Sequence, residues 1–565
     1  MIKKTLKQTL KILLILFVAA AVVCGLWFVK RDSAAGVRYY HFDTAAFDDK
    51  CEQLSDASKA KDADEMIRLY DELYSDCVEF ETLYEAAYLL YSMDMDNDYY
   101  ADEQNWSYSA LVKCGDKLYT ICHDIALSSN AEAFRKHIGD AVFEKFREYK
   151  PYTDRELEII EKEQSLVDDY YDLYTDPDVA VEYNGVTWDS DKLDGPDGDD
   201  LYESDPDEYY RVADLVEKKF NEKAGPIYKK LVVLRNEFAN IRGYEDYVAY
   251  ADEFAYTRDY TDEETRQLHE DVKAVMKEYL PLYRNYYRNG YEYLPYMTNG
   301  QLLDTLCKYS AEMCDTAGQA ASVLKEKNLY SIGSGASRQP GAYTIELDKT
   351  GLPFIFITKS EGENALPTLT HEFGHFTEFL NDEGENLLTD SDCMDLAEIA
   401  SNGFEGLMTN YYDEIFPEQA DSARHEIIDD LMENILYGCI QDEFQREVYR
   451  DPDMTLQEMN RLSARIYSDY GIDSGTEDYS WVFVTHMFEL PMYNISYAVS
   501  GLAAMQIWSR SETDFDGAVS IWEKFLDEGI YNRSYLEVVE RCGLEKFTEP
   551  GAVEAICKPA LDAFR

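Results

Sequence analysis

His371-Glu372-Phe373-Gly374-His375 is the stretch on which the reading of this chain turns. Residues four apart on an α-helix share a face, so the two histidines present imidazoles one turn apart, with Glu372 beside them. H-E-x-x-H at that spacing is a metal clamp, because zinc takes neutral imidazole nitrogens and a hydrolytic site needs three protein ligands with one position left open for water. Glu372 then has the place of a general base, close enough to take a proton as metal-activated water attacks an amide carbonyl. With only eight histidines in 565 residues, chance pairing at this spacing around a glutamate is rare. The context agrees: the β-like run Gly351-Leu-Pro-Phe-Ile-Phe-Ile-Thr358 is followed by the breakers Gly362, Asn364 and Pro367, and then by the helical pattern that carries the motif.

Two histidines do not hold catalytic zinc alone. Asp395-Leu-Ala-Glu398-Ile-Ala-Ser401 supplies a third ligand on a following helix, and Glu398 is the residue expected to bind. The chain can leave the first helix through Asn381-Asp-Glu-Gly384 and return alongside it. Glu405, about two helical turns further on, falls on the same face and is expected to hydrogen-bond a ligand histidine's other nitrogen.

The rest of the chain bounds this reading. A length of 565 residues exceeds one compact core, and three parts are expected: a membrane segment over 1–32, an N-terminal helical lobe over 33–205 and a catalytic domain over 206–565. Lys3, Lys4, Lys7 and Lys11 precede the uncharged run Ile12–Val29, and Lys30-Arg31 follows it. That pattern predicts an uncleaved transmembrane anchor with the body outside the cytoplasmic membrane. The alternatives are a secreted chain or a lipid anchor through Cys24.

A net charge of −59, from 112 acidic and 53 basic residues, excludes a nucleic-acid binder, since phosphate would be repelled. Of eleven cysteines, those beyond Cys24 include close pairs such as Cys51 with Cys77 and Cys307 with Cys314, readable as disulfides or as buried thiols. Asp94, Asp96 and Asp98 do not complete a calcium loop, since Tyr99 stands where its glycine belongs. Helical periodicity dominates elsewhere, as in Ala63–Tyr74 and after the capping box Thr261-Asp-Glu-Glu264, with Pro281 expected to end or bend that helix. The acidic stretch Asp189–Glu208 reads as a loop or lobe boundary. Strand-like pieces are few: Val186–Trp188, Ala342–Leu347 and Pro353–Thr358.

Several of these segments, in order, resemble the oligoendopeptidase F and thimet oligopeptidase family of zinc metallopeptidases. They are Arg338-Gln-Pro-Gly-Ala-Tyr343, Pro353-Phe-Ile355, the His371–His375 motif, Glu398 with Glu405, and the late segment His486-Met-Phe-Glu-Leu-Pro491-Met-Tyr493-Asn-Ile-Ser-Tyr497. The likeness reaches back through Gly243-Tyr244 and Leu234-Arg-Asn-Glu-Phe-Ala239 to about residue 180, while the N-terminal part matches only in being helical. The resemblance implies a mainly α, two-lobed helical metallopeptidase with a deep channel, a small β-sheet beside the H-E-x-x-H helix, and one zinc ion. It implies short unstructured peptides as substrates, with His486, Tyr497 and Tyr493 facing the substrate carbonyl. Read as one helical face, the late segment could aim three donors at the oxyanion. Two departures stand out. Phe376-Thr-Glu378-Phe379 replaces a histidine that family members often carry, and an N-terminal anchor is unusual among them. The expected function is a zinc endopeptidase, with a dipeptidyl carboxypeptidase or a non-catalytic peptide receptor as the rival readings.

Overall fold

Pro353-Phe354-Ile355-Phe356-Ile357 has no polar side chain to turn toward water, and a strand of that composition needs both faces covered. The computed structural model describes residues 37–565, except 194, 336, 348–351, 361, 382–383, 385 and 387. In it these five residues are buried in the middle of strand Leu352–Thr358, which is the central strand of a three-stranded sheet. Tyr330–Gly333 pairs with it in parallel, Tyr330 opposite Ile355, and Gly341–Leu347 pairs antiparallel, Gly341 opposite Thr358. Helix Leu366–Asn381 packs on this sheet and buries Leu369, Phe373 and Phe376. Asn364 helps start it, its side-chain oxygen accepting from the Leu366 amide at 3.0 Å.

Packing divides the chain into two compact units. One joins the residues up to Pro151 with Tyr296–Asp390. Its helices Thr44–Ala60, Ala63–Met93 and Asp98–Ala126 pack on one another, and one apolar core runs from Phe47, Leu73 and Phe80 to the strand residues Phe354 and Phe356.

The other unit joins Tyr152–Pro295 with Ser391–Arg565. At its centre, helix Ile495–Ser511 packs against both Ala420–Arg450 and Ile399–Met408. The contacts are close because small residues line them. A Cβ on Gly438 would stand 2.8 Å from the Ala498 amide nitrogen and 2.8 Å from the Asn494 carbonyl oxygen, and one on Gly406 would stand 2.9 Å from Trp508 Cβ.

Most sequence-predicted elements are present. The Thr261 capping box starts helix Asp262–Asn289, which runs on through Pro281 rather than ending there. The acidic stretch is not a plain loop: it contains helices Ser190–Leu193 and Pro196–Ser204 and the start of Pro206–Arg242. The hairpin Val181–Tyr183 with Val186–Trp188 forms, and the fold is mainly helical with small sheets. The described cysteines are free thiols, so no close pair is bridged; burial pushes Cys51 up to about 12.

One expectation is corrected. Among the described residues no helix is long and apolar enough to cross a membrane; even long helices such as Ala63–Met93 carry acidic residues along their length. The single-pass membrane protein with an N-terminal transmembrane helix is therefore not supported, and its segment 1–32, Cys24 included, lies outside the described residues.

Gly438→Ala forces helices Ala420–Arg450 and Ile495–Ser511 apart and should cost about 1–3 kcal/mol of stability. Denaturant unfolding measures this, and an unchanged midpoint would contradict the close approach.

Candidate metal and catalytic site

Helix Leu366–Asn381 carries the first part of the site. Its apolar side is pinned to the sheet, which leaves His371 and His375 half-buried on another face, with ring centroids 5.1 Å apart. Glu372, by contrast, is buried. A buried carboxylate needs hydrogen-bond partners, and strand Gly341–Leu347 provides one: Thr344 Oγ1 donates to Glu372 Oε2 at 2.7 Å and lies 2.9 Å from the Glu372 carbonyl oxygen. About one turn beyond His375, Glu378 is buried, its Oε2 lying 4.0 Å from His375 Nδ1. This is the segment where the family resemblance leads one to expect a histidine.

Glu398 belongs to the second compact unit. It stands at the N-cap of helix Ile399–Met408, not within it. Its Oε2 accepts from Ser401 Oγ at 3.0 Å, and Glu405, two turns along, is buried. Just before Glu398, buried Asp395 accepts from Tyr260 Oη at 2.7 Å and from Ser496 Oγ at 2.6 Å, while Ser500 Oγ donates to its carbonyl at 2.7 Å. Arg258, with a fully buried side chain, lies 3.4 Å from Asp395 and 2.7 Å from Asp252, and donates to the Met492 carbonyl at 2.7 Å. One guanidinium thus ties the Glu398 segment to the late segment.

The late segment is not one helix. Helix Thr485–Glu489 ends before Pro491, which lacks an amide donor, and Met492 takes the left-handed φ of 68°. The next helix starts at Ile495. Tyr493 therefore precedes the helix that holds Tyr497, which corrects the shared helical face expected from their spacing. The corner nevertheless gathers the three side chains: the His486 ring lies 5.6 Å from Tyr493 and 6.0 Å from Tyr497, and the two tyrosines are 5.1 Å apart. Burial lowers the His486 pKa, against the opposing charges of Glu489 and Glu398. Burial, then the Glu398 charge, holds the Tyr493 phenol well above its ordinary value. At neutral pH His486 is thus a neutral imidazole and Tyr493 a protonated phenol, both able to donate.

Among the described residues, His371, His375 and Glu398 form a group in which each offers one ligand atom, all within 4.8 Å of one another. Two imidazoles and a carboxylate are a donor set that suits zinc in a hydrolytic site, so the residues present fit the ion that the motif implies. The remaining histidines have other work. His269 pairs with Asp442 at 3.0 Å, and His425 stacks on Tyr286 at 4.0 Å.

No family model matches the sequence, and no curated protein matches it. Solved structures do. A protein classed as an oligoendopeptidase F aligns with a TM-score of 0.74 at 20% identity, covering 93% of this chain and 98% of its own. The chain has the oligoendopeptidase F fold. PZ peptidase A, solved with an inhibitor, shares that fold with a TM-score of 0.76 at 20% identity, over 93% of this chain and 98% of its own. A protein from Bacillus anthracis, also classed as an oligoendopeptidase F, aligns at 0.72 and 19% identity, over 92% and 96%.

Within the oligoendopeptidase F fold, sequence reasoning missed Thr344, Arg258 and the anchoring role of Asp395. Each acts on a residue far away in the chain, and local spacing carries no signal for that. Arg258→Met should lower stability by about 3–5 kcal/mol, because it leaves the buried Asp395 carboxylate without its cation. Thermal unfolding reads the loss, and a midpoint like that of the parent protein would contradict the bridge.

Proposed function

We propose that this chain is a zinc-dependent endopeptidase that hydrolyses short unstructured oligopeptides. The observation that carries the reading is the His371, His375 and Glu398 group, with its ligand atoms within 4.8 Å; the shared fold with peptidases such as PZ peptidase A supports it. Zinc held by these three residues would supply a Lewis acid that polarises the peptide carbonyl and makes water acidic enough to lose a proton near neutral pH.

The chain's own residues do the rest. Glu372 takes the proton from water and returns it to the leaving amine. Thr344, hydrogen-bonded to Glu372 Oε2 at 2.7 Å, fixes the carboxylate's direction, so the base does not have to be ordered during the reaction. His486 and Tyr497, with Tyr493, donate to the oxygen on which negative charge develops; such a donor contributes roughly 3 kcal/mol in other hydrolases. His486 does this as the neutral imidazole favoured by its burial. Glu405, buried on the helix that Glu398 caps, orients a ligand histidine.

Glu372→Gln should keep bound zinc, measured by metal analysis, yet lose at least about a hundredfold in turnover of a quenched fluorescent peptide. Retained turnover would refute the base. Thr344→Val should lower kcat about tenfold or more with little change in KM, and Thr344→Ser should restore it. Full activity in Thr344→Val with a loss in Thr344→Ser would show that the methyl group, not the hydroxyl, matters.

A further inference from the structure

Helix Asp262–Asn289 carries Tyr279, Tyr283 and Tyr287, and Tyr291 follows two residues past its end. Successive rings stand 6.0, 4.6 and 5.1 Å apart, a ladder along one side of the helix. Against it, helix Ala420–Arg450 sets Glu426, Asp429, Asp430 and Glu433, a spacing that puts four carboxylates on one face over two turns. Tyr279 donates to Asp429, and Tyr291 to Glu426 at 3.4 Å. Tyr283, Tyr287, Tyr291 and Glu433 remain half-exposed, and Asp430 is exposed.

So many like charges on one face repel one another. Burial pushes Asp429 up to about 7, and the Glu433 and Glu426 charges add to the rise against its tyrosine hydrogen bonds. The nearby cation Arg424 is engaged by Asp413 at 2.7 Å. A second observation points to a ligand. Tyr412 is fully buried, its hydroxyl has no hydrogen-bond partner among the described residues, and it lies in the field of Glu405, Glu426 and Asp430. A buried hydroxyl in that state can accept from an incoming N–H and donate to a carboxylate.

Among the described residues these carboxylates do not come together as a metal-binding group; the one such group is His371, His375 and Glu398. Beside a row of phenol rings an organic cation is a better complement than a bare ion. An organic cation with a broad charged head, flat enough to lie over a phenol ring, fits both the aromatic ladder and the acidic face. We propose that Tyr283, Tyr287, Asp429, Asp430 and Glu433 receive the arginine side chain of a peptide substrate. The inference rests on the peptidase reading and narrows it to cationic peptides. Glu405, on the helix that Glu398 caps, acts by its charge on Asp430 of this face.

A chain with a net charge of −59 attracts every cation weakly, so the test must separate this face from the whole surface. Peptides that differ only in arginine or its neutral isostere citrulline, scanned position by position, are compared with the zinc-loaded enzyme. At one position the arginine peptide should be preferred about tenfold in kcat/KM. The double variant Asp430→Asn with Glu433→Gln, which alters total charge only slightly, should bring that ratio near one, and Asp430→Lys should shift preference toward a glutamate peptide. A ratio near one at every position, or a ratio untouched by the variants, overturns the proposal. Should no peptide be cleaved, the peptidase reading fails separately, and fluorescence anisotropy of the same peptides on Glu372→Gln protein decides. Tighter binding of the arginine peptide that is lost in the Asp430→Asn with Glu433→Gln background sustains the cationic subsite, and equal binding, or a preference untouched by those changes, overturns it.

Discussion

A guanidinium with no exposure to water must have its charge answered from all sides, and Arg258 is answered by Asp395, Asp252 and the Met492 carbonyl. Much of the candidate site in this unit depends on that constraint. Asp395 lies three residues before Glu398, and Met492 one residue before Tyr493. Removing any partner leaves an unmatched charge or dipole in a low-dielectric interior, which costs more than the pair itself contributes. The network continues into a second buried guanidinium, Arg446, which pairs with Asp252 at 2.7 Å and Asp442 at 2.6 Å. The carboxylate Asp252 therefore serves both cations. Geometry at Glu398 and at the late tyrosines is set by one connected lattice of charges rather than by two independent segments.

The legible part of this chain was what local spacing encodes. Four-residue separation puts His371 and His375 on one helix face, and the uninterrupted run Pro353–Ile357 announces a strand covered on both sides. Glu398 could be chosen because the chain has length enough after His375 to leave the first helix through Asn381–Gly384 and return alongside it. The same spacing logic misled at Tyr493 and Tyr497, which are four apart but on either side of a helix start. It had no way to weigh Pro491 against the helical periodicity around it. Thr344 and Arg258 were out of reach for a different reason: their partners are distant in sequence, and an ordinary threonine in a strand or arginine after a turn looks the same with or without them.

Composition spoke more loudly than it informed. The acidic stretch after Asp189 looks like an unstructured boundary, yet Pro196 and Pro206 open helices there, where a proline's missing amide costs nothing. Forty-seven tyrosines make any single pair of them unremarkable on paper. In the fold they separate into distinct roles: Tyr260 donates to Asp395, Tyr279 to Asp429, and Tyr170 to the Val482 carbonyl. A phenol combines a large apolar body with one polar tip, so a strongly acidic chain can bury its carboxylates against tyrosines where it lacks enough lysines and arginines.

The corner at Pro491 and Met492 has a consequence for how this segment can change. The corner lies before the helix that holds Tyr497, so losing or gaining one residue between Leu490 and Ile495 would shift His486 and Tyr493 relative to Tyr497 while leaving every residue type intact. Substitution there is a graded perturbation. A change of length is a discontinuous one, and the distance along the chain from His486 to Tyr497 is therefore the quantity that descent with modification has least freedom to alter.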